Sequence, residues 1–192
     1  MGKWLLLTLS VLVLSGCGEQ TWQTSDISGA MPKLKFNLTD ENGRAVSAED
    51  YLGQPTLLFF GFTNCPDVCP TTLAQIAGAV QRLDENVRED LQVLFVSVDP
   101  ARDDPQTLRR YTDAFGPQFI GLTGGKAALD ALTDRYHTTY SYGEEDESGN
   151  YDVSHSGAVF AFDREGEVRL LIRASHQTKA IAADLSQLAE DG

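Results

Sequence analysis

The chain has 192 residues, 42% of them hydrophobic, which is one domain's worth of core with extra segments at the ends. Its 28 acidic side chains outnumber 15 basic ones and leave a formal net charge of −13. That excludes nucleic acid, whose phosphates need a basic face, and disfavours peripheral attachment to anionic lipid.

The first segment precedes the fold. Lys3 is followed by an apolar run, Leu5 to Leu14, and then by Ser15-Gly16-Cys17. A positive start, an apolar stretch of about ten residues and small residues at its end read as a secretory signal over residues 1–16. The run is shorter than the roughly 20 residues that a membrane span needs. The Leu14-Ser15-Gly16-Cys17 ending resembles a bacterial lipoprotein signal, in which cleavage leaves the cysteine as a lipid-modified N-terminus. An uncleaved anchor, or an ordinary signal with a free cysteine, is the competing reading. Three cysteines are an odd count for an exported chain. If Cys17 carries lipid, Cys65 and Cys69 remain as a pair, in an oxidising compartment. Residues 17–32 are polar and aperiodic and read as a tether, so the domain is expected from Lys33 to Gly192.

Within that domain, Lys33 to Thr39 alternates apolar and polar and predicts a half-buried strand. Asp40-Glu41-Asn42-Gly43 is a turn signal, with a short return strand over Arg44 to Val46 and a single helical turn over Ser47 to Leu52. Thr56 to Phe62 is apolar throughout, as in a strand buried on both faces. The segment Cys65-Pro66-Asp67-Val68-Cys69-Pro70 follows it directly, and a helix is expected over Thr71 to Leu83 with Pro70 at its first position. Leu91 to Val98 predicts a second core strand. A helix capped by Asp104 runs to about Phe115, and a short strand covers Phe119 to Leu122. A helix over Ala127 to Tyr136 precedes a polar, acidic loop over Thr138 to Ser154. Strands over Ala158 to Phe162 and Val168 to Ile172 form a hairpin, and a last helix covers Gln177 to Leu188, capped by Ser175. This is an α/β order: a mixed sheet flanked by helices, in the element order of the thioredoxin-like fold, with an N-terminal hairpin extension.

A strand that feeds two thiols into a helix N-terminus favours thiolates, through the unpaired N–H groups and the helix dipole. Both disulfide exchange and metal ligation need that form. A permanent disulfide and an inert core pair are the competing readings. Thioredoxin-like oxidoreductases separate their cysteines by two residues, and here there are three. They also carry a proline just before the strand facing the thiols. Here no proline follows Pro117, and Val153-Ser154-His155-Ser156 occupies that place. His155 is therefore expected to face the cysteines. Two thiolates and an imidazole suit copper, and three ligands fall short of the four of a structural zinc site. His137 and His176 read as ordinary surface residues. Asp67, between the thiols, is expected to disfavour a double thiolate and to welcome a cation.

These motifs, with Phe59 to Thr63, Val96 to Pro100, Arg102-Asp103, Pro105 and Tyr151 to Ser156, resemble the Sco/SenC family of copper chaperones over roughly Lys33 to Ala189. The resemblance implies a thioredoxin-like domain that binds copper through Cys65, Cys69 and His155. It implies a role in maturing the copper centre of cytochrome c oxidase subunit II, with a thiol reductant or another periplasmic copper chaperone as further partner. The expected place is the bacterial cell envelope, with the domain lipid-anchored on the extracytoplasmic face. That describes a carrier rather than an enzyme; a thiol-disulfide oxidoreductase that keeps the acceptor's cysteines reduced is the alternative, with Cys65 and Cys69 as its redox thiols. Peroxidase or redox-sensor activity is a weaker third reading, since the same fold hosts both. Many relatives are expected to carry an acidic residue before the histidine. Ser154 stands there instead, and Asp152 is the nearest carboxylate expected to orient the imidazole.

Overall fold

A computed structural model describes residues 21–190 of the chain. The segment read as a secretory signal, residues 1–16, and Cys17 lie outside the described residues. In chain order the strands are β1 (Ser25–Asp26), β2 (Asn37–Asp40), β3 (Ala45–Ser47), β4 (Thr56–Gly61), β5 (Gln92–Ser97), β6 (Phe119–Thr123), β7 (Tyr140–Tyr142), β8 (Val153–His155), β9 (Val159–Phe162) and β10 (Val168–Ile172). The helices are α1 (Val68–Val80), α2 (Glu85–Asp90), α3 (Pro105–Thr112), α4 (Lys126–Arg135) and α5 (Thr178–Glu190), with a 3-10 turn at Ala48–Tyr51. Eight strands form one sheet in the order β1-β10-β9-β4-β5-β6-β2-β3, and β7 pairs β8 as a separate hairpin. β4, β5 and β6 run parallel, and the other pairings are antiparallel, so the sheet is mixed.

The sheet separates two cores, and β4 shows why its sequence is apolar throughout. Leu57 and Phe59 pack with Leu73 and Ile76 of α1, Leu108 of α3 and Leu185 of α5. Leu58 and Phe60 pack on the opposite side with Leu129 and Leu132 of α4, Tyr51 and Val153. A strand covered on both faces favours apolar side chains throughout, and the one polar residue of β4, buried Thr56 at its start, donates its hydroxyl to the Gln54 carbonyl at 3.1 Å. Helix α3 starts as its sequence demands, with the Asp104 carboxylate accepting from the Thr107 N–H at 2.6 Å and Pro105 in the first turn. This is the thioredoxin-like architecture, with β2–β3 as the N-terminal hairpin.

Several boundaries differ from those expected. Helix α1 begins at Val68, so Cys69 lies inside its first turn and Pro70 one position later. Proline is tolerated there because the N–H groups of the first turn have no intrahelical acceptor, so its missing donor costs no bond. Helix α2 has no buried residue and so no apolar periodicity to announce it. Helix α5 runs Thr178–Glu190, and the Gln177 carbonyl accepts from Ile181, so Gln177 rather than the expected Ser175 stands at its cap. The stretch read as an acidic loop contains the β7–β8 hairpin.

The presumed tether is also partly structural. Ser25 and Asp26 pair with Leu171 and Leu170 of β10. The carboxylate of Asp184 on α5, 1% exposed, accepts from the N–H groups of Gln23 (2.9 Å) and Thr24 (2.7 Å) and from the Thr24 hydroxyl (2.7 Å). A buried carboxylate answered by three donors fixes the segment, so the domain begins near Gln23 rather than at Lys33. Among the described residues no helix is long and apolar enough to cross a membrane.

Candidate metal centre

The loop that follows β4 delivers Cys65, and the first turn of α1 delivers Cys69. The Cys65 N–H donates to the Phe62 carbonyl at 3.2 Å, and the Cys69 N–H points at the Cys65 sulfur at 3.4 Å. Gly61 makes this packing possible. A Cβ there would stand 2.6 Å from the Cys69 Sγ and 2.7 Å from the Phe95 ring, so a side chain would push the thiol off the strand. Both thiols are free; Cys65 is half-buried and Cys69 fully buried.

His155 ends β8, paired with Tyr140 of β7. Its ring stands edge-on to Phe59 and Phe62, at centroid distances of 5.9 and 5.7 Å. Its Nδ1 lies 3.0 Å from the Ser156 carbonyl, which fixes the proton on that nitrogen. The unprotonated Nε2 then faces the sulfurs, 3.2 Å from Cys69 and 3.6 Å from Cys65. The three donor atoms all lie within 4.8 Å of one another, and among the described residues no fourth histidine, cysteine or carboxylate joins them. Burial lowers the imidazole pKa and keeps the ring neutral, as a ligand must be.

Burial also pushes the Cys69 thiol well above its ordinary range, which the sulfur of Cys65 reinforces. Desolvation thus opposes the thiolate that the helix N-terminus favours here. A metal entering the site displaces the Cys69 proton. Two sulfurs and one imidazole nitrogen, half sealed by aromatic rings, fit a soft ion of low coordination number.

The two carboxylates expected near the site are not among the gathered donors. Asp67 is exposed and accepts from the Thr71 hydroxyl at 3.3 Å, held by the helix it precedes. Asp152 is exposed, and the imidazole takes a backbone carbonyl as its orienting partner instead. His137 and His176 lie outside the group; the Nδ1 of His176 accepts from the Arg173 N–H at 3.1 Å. Asp103 was legible only as a loop residue. It is 1% exposed, and it accepts from the N–H of Thr63 at 2.9 Å and from the hydroxyls of Thr63 and Ser97. It thereby pins the segment two residues before Cys65 to the end of β5.

Fold and site together define a thioredoxin-like protein whose thiols face an imidazole, with a donor set for a soft metal and no proline opposite the cysteines. The chain belongs to the SCO1/SenC family, whose model matches residues 25–190. It is 36% identical over 152 residues to the mitochondrial SCO1 homolog of Homo sapiens, covering 79% of this chain and 50% of that one. It is 36% identical over 132 residues to an SCO2-like protein of Rickettsia prowazekii, covering 68% and 64%. The chain thus spans half to two thirds of the length of these relatives. The structure of Bradyrhizobium japonicum ScoI with copper bound superposes with a TM-score of 0.73 at 33% identity, covering 81% of this chain and 98% of that one.

Proposed function

We propose that this protein is a membrane-tethered copper metallochaperone for maturing the copper centre of cytochrome c oxidase subunit II. The observation that carries the reading is the convergence of Cys65, Cys69 and His155, from segments some 90 residues apart, into one group of soft donors. Copper is the cargo. Cys65 and Cys69 hold it as thiolates and His155 as neutral imidazole. Cys65, half exposed at the rim, exchanges first with the acceptor's ligands, and buried Cys69 last. The acidic run Glu144 to Glu147 lies between β7 and β8, on the hairpin that carries His155, and offers a docking surface to a basic partner. Cys17 carries the lipid that holds the domain at the extracytoplasmic face.

The unequal burial of the thiols supports a second reading, a reductase of the acceptor's cysteines, with Cys65 attacking and Cys69 resolving. The two are separated in a strain lacking the chromosomal copy and complemented with variants. A carrier predicts that His155→Ala fails to restore oxidase activity and that added copper salts rescue it. Full complementation by His155→Ala, or rescue by a membrane-permeant thiol but not by copper, would overturn the carrier reading.

A further inference from the structure

Both halves of the site are tied to one short turn, Asp99 to Asp103, which touches neither thiol nor imidazole hydrogen-bonding atoms. The turn is internally braced. The N–H groups of Arg102 and Asp103 donate to the Asp99 carbonyl at 3.1 and 3.0 Å, and the Asp99 N–H donates to the Ser97 hydroxyl at 3.1 Å. On the cysteine side, Asp103 holds Thr63 as described above. On the histidine side, Arg102 donates Nη1–H to the Tyr151 carbonyl at 3.0 Å and pairs with the fully buried Asp99 carboxylate through Nε. The Tyr151 hydroxyl donates to the other Asp99 oxygen at 2.6 Å. The Arg102 guanidinium lies 3.8 Å over the Tyr151 ring and 5.7 Å from the ring of Phe62, which in turn stands edge-on to His155. Tyr151 stands two residues before β8, the strand that ends in His155.

An Arg–Asp pair with a fully buried carboxylate and a partly buried guanidinium contributes little to stability compared with an apolar filling of the same space. This one also leaves the buried Arg102 Nη2 with no hydrogen-bond partner, a cost that packing alone would remove. What the pair supplies is geometry: a planar fork that fixes a backbone carbonyl, a ring and a carboxylate at once, which lysine cannot reproduce.

We propose that the Asp99–Asp103 turn is a yoke that sets the distance between the thiols and the imidazole, with Arg102 as the positioning residue that holds the His155 hairpin against the cysteine loop. The proposal rests on the metal-site reading above, and the test separates the two. In the full-length, metal-free protein, Arg102→Lys and Tyr151→Phe are expected to speed hydrogen exchange of the β7–β8 amides about tenfold while the β4 and β5 amides keep their protection. Competition with a chromophoric Cu(I) chelator is expected to show about a tenfold rise in Kd for Arg102→Lys, and less than a twofold rise when the same change is made in a His155→Ala background. An equal loss in both backgrounds, or unchanged exchange in the hairpin, would overturn the yoke. Equal Cu(I) affinity of wild type and His155→Ala would instead sink the metal-site reading, leaving the exchange comparison to judge the yoke alone. Tyr151→Phe keeps the ring beneath the guanidinium, so it decides the question if Arg102→Lys fails to fold.

Discussion

Cys69→Ser is expected to weaken Cu(I) binding by roughly a hundred- to a thousandfold, the share of one ligand in a structural metal site whose binding is worth about 10–16 kcal/mol over four ligands. Serine fills nearly the same space, so the close approach to Gly61 and Phe95 survives and the fold is retained. What disappears is the soft sulfur, which a hydroxyl does not replace toward Cu(I). Cys65→Ser is expected to lose a similar amount of affinity and less stability, because its side chain is half-exposed where that of Cys69 is fully buried. Chelator competition under anaerobic conditions reads the affinities, and circular dichroism the fold. Loss of less than tenfold for Cys69→Ser would mean that copper sits elsewhere.

Asp103→Ala is expected to destabilise the domain by roughly 2–4 kcal/mol, because it strands three donors that the carboxylate now satisfies, the Thr63 N–H and the hydroxyls of Thr63 and Ser97. Water does not replace it easily, since the Asp103 side chain is buried and Ser97 is 0% exposed. With an m-value of about 2 kcal/mol/M in urea, the unfolding midpoint falls by about 1–2 M. The same change unpins the segment that leads into Cys65, so copper affinity falls with it. A midpoint within experimental error of the wild type would show that the Asp103 bonds are replaced by others.

Much of this was legible because local rules and the global fold agree. The unbroken apolar run of β4 announces a strand buried on both faces. The three-residue spacing of the thiols and the absence of a proline after Pro117 point to His155 from sequence alone. What escaped has physical reasons. The β7–β8 hairpin is two strands of three residues, too short for alternation to stand out, with Val153 as its one buried side chain. The residues leading into β1 are held by Asp184, some 160 residues away, and no local pattern records that. Asp67 and Asp152 looked like site residues because they are near the ligands in sequence. Side-chain direction decides instead: Asp67 turns to Thr71, and a backbone carbonyl takes the role imagined for Asp152. Asp103 and Tyr151 stood inside recognisable motifs, yet their partners, Thr63 and Asp99, are 40 and 52 residues distant.

The most direct test of the central claim is X-ray absorption at the copper edge on the full-length protein loaded anaerobically with one equivalent of Cu(I). Two sulfur scatterers and one imidazole nitrogen are predicted for the wild type, with the nitrogen lost in His155→Ala and one sulfur lost in Cys69→Ser. A first shell of sulfur alone in the wild type, or a spectrum unchanged by His155→Ala, would contradict the three-donor site.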